Sequence, residues 1–228
     1  MATLAPAVER FQDVARRSLA EKAYELLVRK ITRLEYAPGS LLAERHLMED
    51  LGIGRTPIRE ALQRLAIERL VDHLPNRGML VSEISATSVQ QIYEFRTLVD
   101  GYAAWLAATR ATRRQIAEMR ALHEELVHAT EVDDIDAYVE LDSQFYNALS
   151  AAAHNLLVAE AIPRIFNLHL RLWFFISSKV GGWHAIARSH EEMTQGIVDA
   201  MEQRNPDAAR CAMELYIQRR HQDIRDVL

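Results

Sequence analysis

The run Gly54-Arg-Thr-Pro-Ile-Arg-Glu-Ala-Leu-Gln-Arg-Leu-Ala-Ile-Glu-Arg-Leu70 constrains the fold more than any other part of the chain. Ile58, Ala61, Leu62 and Leu65 recur at i, i+3, i+4 and i+7, the spacing of one buried stripe on a helix. Arg55 and Arg59 stand four apart on a second face and flank the first turn. A helix packed along one side and basic at its N-terminal edge suits a groove between two phosphate walls. Upstream, Ala43 to Leu51 reads as a shorter helix, and Gly52 is placed to end it in the left-handed conformation. Downstream, Leu70–Leu74 and Gly78–Val81 read as two short strands around Pro75-Asn76-Arg77. Helix, turn, helix, hairpin: the order predicts a winged helix-turn-helix and, with it, binding to double-stranded DNA.

Net charge is −5, an unexpected sign for a nucleic-acid binder until it is divided along the chain. Residues 1–85 carry 13 Lys and Arg against 12 Asp and Glu, whereas the remainder carries 14 against 20. Only the first part is then expected to touch DNA. Its basic excess is small, so clustering has to supply the attraction, and Arg45, Arg55, Arg59 and Arg77 form that cluster if the winged fold holds. With 49% hydrophobic and 26% charged residues, the chain reads as a soluble globular protein. No apolar run approaches the roughly 20 residues of a membrane span, and no secretory signal opens the chain. Cys211 is the only cysteine, which rules out an internal disulfide and fits the cytoplasm.

Residues 1–16 read as a flexible leader, and Ser18-Leu-Ala-Glu21 as a capping box that opens the first helix. That helix buries Ala23, Leu26, Leu27, Ile31 and Leu34, and Ala37-Pro38-Gly39 stops it. The expected domains are a DNA-binding unit over 17–82 and an all-helical unit over 83–228. Six helices are expected in the second: about 87–109; one opened by a Thr112/Gln115 box; Asp134 to about Ala153; Leu156–Ser178, kinked or broken at Pro163; about 184–203; and one opened by Asn205-Pro206. Nothing outside the wing alternates with period two. The fold class is mainly α, a winged helix-turn-helix followed by a six-helix antiparallel bundle.

The string Glu44-Arg45, Gly52-Ile-Gly-Arg55-Thr-Pro-Ile-Arg59-Glu-Ala-Leu62, Leu65, Leu70-Val71, Arg77-Gly78 and Val81 resembles the DNA-binding domain of the GntR family of bacterial transcription factors. The helical remainder resembles the FCD-type ligand-binding domain of its FadR subgroup, and six helices match the VanR-like branch. The resemblance implies a homodimer on an inverted-repeat operator, probed by a small-molecule effector. It also implies DNA contact by Arg45, Arg55, Thr56 and Arg59, with Gly78 as the wing glycine beside Arg77. Gly54 departs from the pattern, which has Ser or Thr capping the recognition helix; glycine costs only a few tenths of a kcal/mol there.

Members of this subgroup often hold a divalent metal with one aspartate and three histidines. Here the matching positions are Asp142, Tyr146, His190 and Tyr216, so two imidazoles are replaced by phenols. A phenol, with a pKa near 10, is a poor ligand until it deprotonates, and Asp142 with His190 leaves too few donors for a four-coordinate site. The expectation is therefore no metal cofactor, with Asp142 and His190 the residues that would hold one. Arg96, Asp142, Tyr146, His190 and Tyr216 are expected to bind an organic effector, with the Arg96 guanidinium either clamping its carboxylate or forming a simple ion pair within the pocket. His169, His184 and Arg171 are weaker candidates for the same cavity. Two rival functions differ in class: an all-helical enzyme using Asp142 and His190, and a winged helix used for protein interaction. No nucleophile–base spacing, phosphate loop or complete metal set supports the enzyme, so none is expected.

Overall fold

A computed structural model describes the backbone of residues 5–75 and 78–228, with side chains from residue 19 onward. Its first unit ends at Ile84 and its second comprises Ser85–Leu228, two residues beyond the expected boundary. In the first unit, helices α1 (Ala5–Thr32), α2 (Glu44–Leu51) and α3 (Arg55–Ile67) precede strands β1 (Val71–Leu74) and β2 (Gly78–Val81). The apolar stripe of α3 is buried as its spacing demands: Ile58, Ala61, Leu62 and Leu65 are in the core, as are Ala23, Leu27 and Ile31 of α1 and Leu47 of α2, the two helices that pack on α3. Truncating any one of these leucines to alanine removes about 2–5 kcal/mol of packing. Across α1 and α3, the Arg64 guanidinium lies 3.5 Å from the Tyr24 ring centroid and pairs with Glu21 at 2.9 Å.

Gly52 ends α2 at φ 64°, ψ 25°, its N–H bonded to the Met48 carbonyl, so the turn between α2 and α3 uses the one residue type free to sit there. β1 and β2 pair antiparallel with Val71 opposite Val81 and Leu74 opposite Gly78. A third extended segment, unanticipated from the sequence, runs along the outer edge of β2. Gly39 donates to the Val81 carbonyl, Val81 to Ser40, and Leu42 to Met79.

Three expectations for this unit need correction. The segment read as a leader is helical from Ala5, so only residues 1–4 of it lie outside the described residues. Ser18 and Glu21 consequently sit inside α1 and do not open it. Upstream runs of Ala, Glu, Gln and Arg are good helix formers, and propensity carries the helix through a local capping signal. The helix also ends early, at Thr32, where Leu34 turns to φ 62° before Ala37-Pro38-Gly39 is reached.

The second unit is six helices: α4 (Ala86–Arg110), α5 (Arg113–Glu131), α6 (Ile135–Ala152), α7 (Leu156–Ser177), α8 (His184–Glu202) and α9 (Pro206–Val227). Five of the six are opened by a side chain that takes a backbone N–H: Ser85, Thr112, Asp134, Asn155 and Asn205. α8 has no such cap; Asp133, from the loop before α6, instead meets Trp183 Nε1 at 3.2 Å and His184 Nε2 at 3.3 Å. Pro163 does not break α7, which continues through it. α9 packs against α4 and α8, and the small buried face of α4 (Ala103, Ala104, Ala107, Ala108) allows its neighbours close approach.

Candidate functional site

The DNA-facing candidates lie where α3 emerges from the core. Arg55 and Arg59 leave the buried stripe with side chains 66% and 64% exposed, and Thr56 is exposed between them. Both arginines turn to one carboxylate, that of Glu44 at the start of α2: Arg59 Nε is 2.9 Å from Oε1 and Arg55 Nε is 3.4 Å from Oε2. Arg45 is exposed as well, but it pairs with Glu49 at 3.1 Å on its own helix. Gly78 begins β2 at φ 87° and shares with Glu44, Arg59, Gln63, His73 and Met79 a concavity of about 430 Å³ between α3 and the wing. Gln63 and His73 were not anticipated; Gln63 could have been found as the i+4 continuation of the Arg55–Arg59 face. Arg77 lies outside the described residues.

The five effector candidates converge in the second unit. Arg96, on α4, is 1% exposed and donates in three directions. Its Nε bonds Asp100 Oδ2 at 2.8 Å, Nη1 bonds His169 Nδ1 at 2.5 Å, and Nη2 bonds the Tyr146 hydroxyl at 2.6 Å. Tyr146 packs toward the His169 and His190 rings, with centroids 6.1 and 6.4 Å away. His190 in turn sits 5.4 Å from the Tyr216 ring. Its Nδ1 meets the Tyr138 hydroxyl at 2.8 Å and its Nε2 lies 2.9 Å from Asp142 Oδ1. That last pair is close without being aligned: both atoms lack a proper hydrogen bond, as do Tyr216 Oη and His169 Nε2. Asp100 Oδ1 is a fifth such atom. Buried polar atoms are nearly always satisfied in folded proteins, so five orphans in one polar core mark a place built to receive a further polar partner.

The protonation states follow from burial. Burial opposes the charge on Arg96, yet Tyr146, Asp100 and Tyr216 hold its pKa above the ordinary value, and it remains a guanidinium. Burial, reinforced by Arg96, pushes His169 well below 6.5, so its ring is neutral. Because Nδ1 accepts from Arg96, the His169 proton resides on Nε2, one of the orphans. Burial drives the Tyr146 and Tyr216 phenols up, so both stay protonated. This donor set is a poor fit to a divalent cation. The four metal-matching positions offer one carboxylate and one imidazole, two neutral phenols, and a fixed positive charge 2.6 Å from one of those phenols, while the neighbouring Asp100 and His169 are both engaged by Arg96. Among the described residues no three His, Cys, Asp or Glu side chains gather as metal ligands would.

Of the weaker candidates, His169 belongs to the cluster, Arg171 is buried on the same helix, and His184 is half exposed on Asp133. Asp100 and Tyr138 were missed. Asp100 carried a signal, being four residues after Arg96 on an apolar helix; Tyr138 carried none, because only packing between non-adjacent helices brings it to His190.

Comparison with known proteins places both units. Residues 19–81 match the profile "Bacterial regulatory proteins, gntR family", and residues 91–219 match the FCD domain. The HTH-type transcriptional repressor RspR of Escherichia coli (strain K12) is 27% identical over 208 residues, which cover 91% of this chain and 89% of that protein. The Nta operon transcriptional regulator of Aminobacter aminovorans is 27% identical over 195 residues, 85% of this chain and 88% of its own. Among solved structures, E. coli McbR/YncC superposes with a TM-score of 0.77 at 22% identity, covering 92% of this chain and 98% of that one, which shows the shared fold. The matched domains and relatives are transcriptional regulators and not enzymes, which sets aside catalysis by Asp142 and His190. The chain belongs to the GntR family of bacterial transcriptional regulators and carries the FCD effector-binding domain.

Proposed function

We propose that this regulator binds an inverted-repeat operator as a homodimer in the cytoplasm, with α3 in the major groove and the wing at the minor groove, and that it acts as a repressor. A small organic acid is its effector, held without a metal in the polar core around Arg96. The observation that carries the DNA reading is the exposed Arg55–Arg59 edge beside the wing concavity. The repressor assignment leans on RspR, which is described as one. For the effector, two orphaned donors, Tyr216 Oη and His169 Nε2, stand in the same core as a buried guanidinium, which suits a carboxylate. Effector binding alters DNA affinity only through its differential affinity for the two arrangements of the DNA-reading heads.

The test is a fluorescence-anisotropy titration with a duplex enriched by the protein from a randomised pool. Arg55→Ala should weaken binding by about 1–3 kcal/mol and relax selectivity at one base pair. Affinity should also fall steeply with salt, as each neutralised phosphate releases condensed counterions. Equal affinity for the wild type and Arg55→Ala overturns the reading.

A further inference from the structure

Glu44 is an odd residue to find at a DNA-binding edge. It opens α2 with its side chain 34% exposed, beside two arginines meant for an anionic ligand, where its own charge repels phosphate. Ion pairs between groups this exposed contribute little to stability, so the carboxylate is poorly explained as a fold-stabilising contact. Its geometry suggests another use. One carboxylate takes Arg55 on Oε2 and Arg59 on Oε1, and in both arginines the nearest atom is Nε. These are ion pairs by distance and not aligned hydrogen bonds, so the carboxylate draws both guanidiniums by charge and leaves their two terminal nitrogens available; that end can form the bidentate contact to guanine O6 and N7. Arg45, next along the chain, turns to Glu49 and does not share Glu44.

We propose that Glu44 is a specificity-determining positioning residue: it holds the Arg55 and Arg59 guanidiniums for base edges and discourages them from settling on phosphates. The inference rests on the reading that α3 enters the major groove. Long arginines at a groove mouth have two competing outlets. Phosphate contact gives affinity without sequence information, whereas base contact gives discrimination. A carboxylate shared between the two side chains biases that competition twice, by fixing where the guanidiniums stand and by lowering the attraction of the local surface for backbone. Glu44 also lines the concavity that Arg59, Gln63, His73 and Gly78 enclose, so its charge faces the space a duplex would enter.

The experiment compares the full-length wild type with Glu44→Gln and Glu44→Asp on two duplexes, one enriched from a randomised pool by the wild type and one scrambled at equal composition. Glu44→Gln should bind the scrambled duplex more tightly and the enriched duplex less tightly. The ratio of the two affinities should fall about tenfold, the size of one impaired bidentate contact. The salt dependence on scrambled DNA should steepen by up to about one phosphate equivalent. Glu44→Asp, which keeps the charge, should retain more of the ratio, and thermal melts should match the wild type. Three results overturn the proposal: an unchanged ratio, both affinities rising together, or both falling together with a lowered melt. Arg55→Ala separates the layers. If it leaves binding to the enriched duplex intact, the major-groove reading fails; if it weakens that binding while Glu44→Gln keeps the ratio, only the present inference fails.

Discussion

His169 shows how one residue ties protonation to folding in the FCD domain. Its imidazole is 2% exposed, accepts from Arg96, and is held neutral by burial and by that adjacent cation. Unfolding releases a ring that takes up a proton below its ordinary value of 6.5, a proton the folded state refuses. Stability from this group is therefore fully present above that pH and falls as the pH drops through it, by at most about 1.4 kcal/mol per unit for one proton. Calorimetry between pH 7.5 and 5 should show the decline, and His169→Gln should flatten it, leaving a smaller slope from His123 and His221, whose pKa burial also lowers. The phenols invite a second test. Tyr146→His with Tyr216→His should create zinc or nickel affinity measurable by elemental analysis, with the wild type holding none; a metal-free double variant would mean that the four side chains cannot converge on one ion. Convergence of Arg96, Asp142, Tyr146, His190 and Tyr216 was legible only through family resemblance, since no spacing in a sequence says which faces of four helices meet. Asp100 was legible in principle from its i+4 relation to Arg96, and a buried guanidinium should always prompt a search for such a partner.

Elements whose boundaries are set by local chemistry were readable, and those set by tertiary packing were not. α2, its Gly52 stop, α3 and the wing follow from spacing and turn residues, and the caps at Thr112 and Asn205 mark their helices. The start of α1 defeated the same logic, because a capping box is only one contribution beside the propensity of the residues upstream. The strand-like segment at 39–42 gave no periodic signal, being held by backbone bonds to β2. At α3 itself the N-cap is Gly54, in extended geometry (φ −68°, ψ 165°), with no side chain to take a backbone N–H. Gly54→Ser fits that conformation without strain and should stabilise the protein by a few tenths of a kcal/mol. It should also tighten binding to DNA of any sequence, because the new hydroxyl reaches toward phosphate. A higher melting temperature with unchanged DNA affinity would show that the cap points away from the duplex.

For the molecule as a whole, the proposed operator recognition requires dimerisation, since one recognition helix reads only a few base pairs. α4 leaves Phe95, Leu98 and Tyr102 exposed at i, i+3 and i+7, a stripe of large apolar side chains on the unit's surface. Tyr93, on the same helix, lies off that stripe, buried and stacked on His221 at 4.9 Å. Light scattering should give about twice the 26.0 kDa chain mass, and Leu98→Glu should return the mass to one chain and weaken operator binding. A monomer at micromolar concentration with and without DNA would contradict the assignment. The capped helix starts have a practical consequence for anyone turning this regulator into a biosensor. Where Asn155 or Asn205 opens a helix by its own side chain, a fluorescent module spliced into the loop ahead of it leaves that start intact, and lengthening a surface loop costs little entropy. The loop that carries Asp133 is the wrong place to cut, because the same residue anchors the uncapped start of α8, the helix that presents His190.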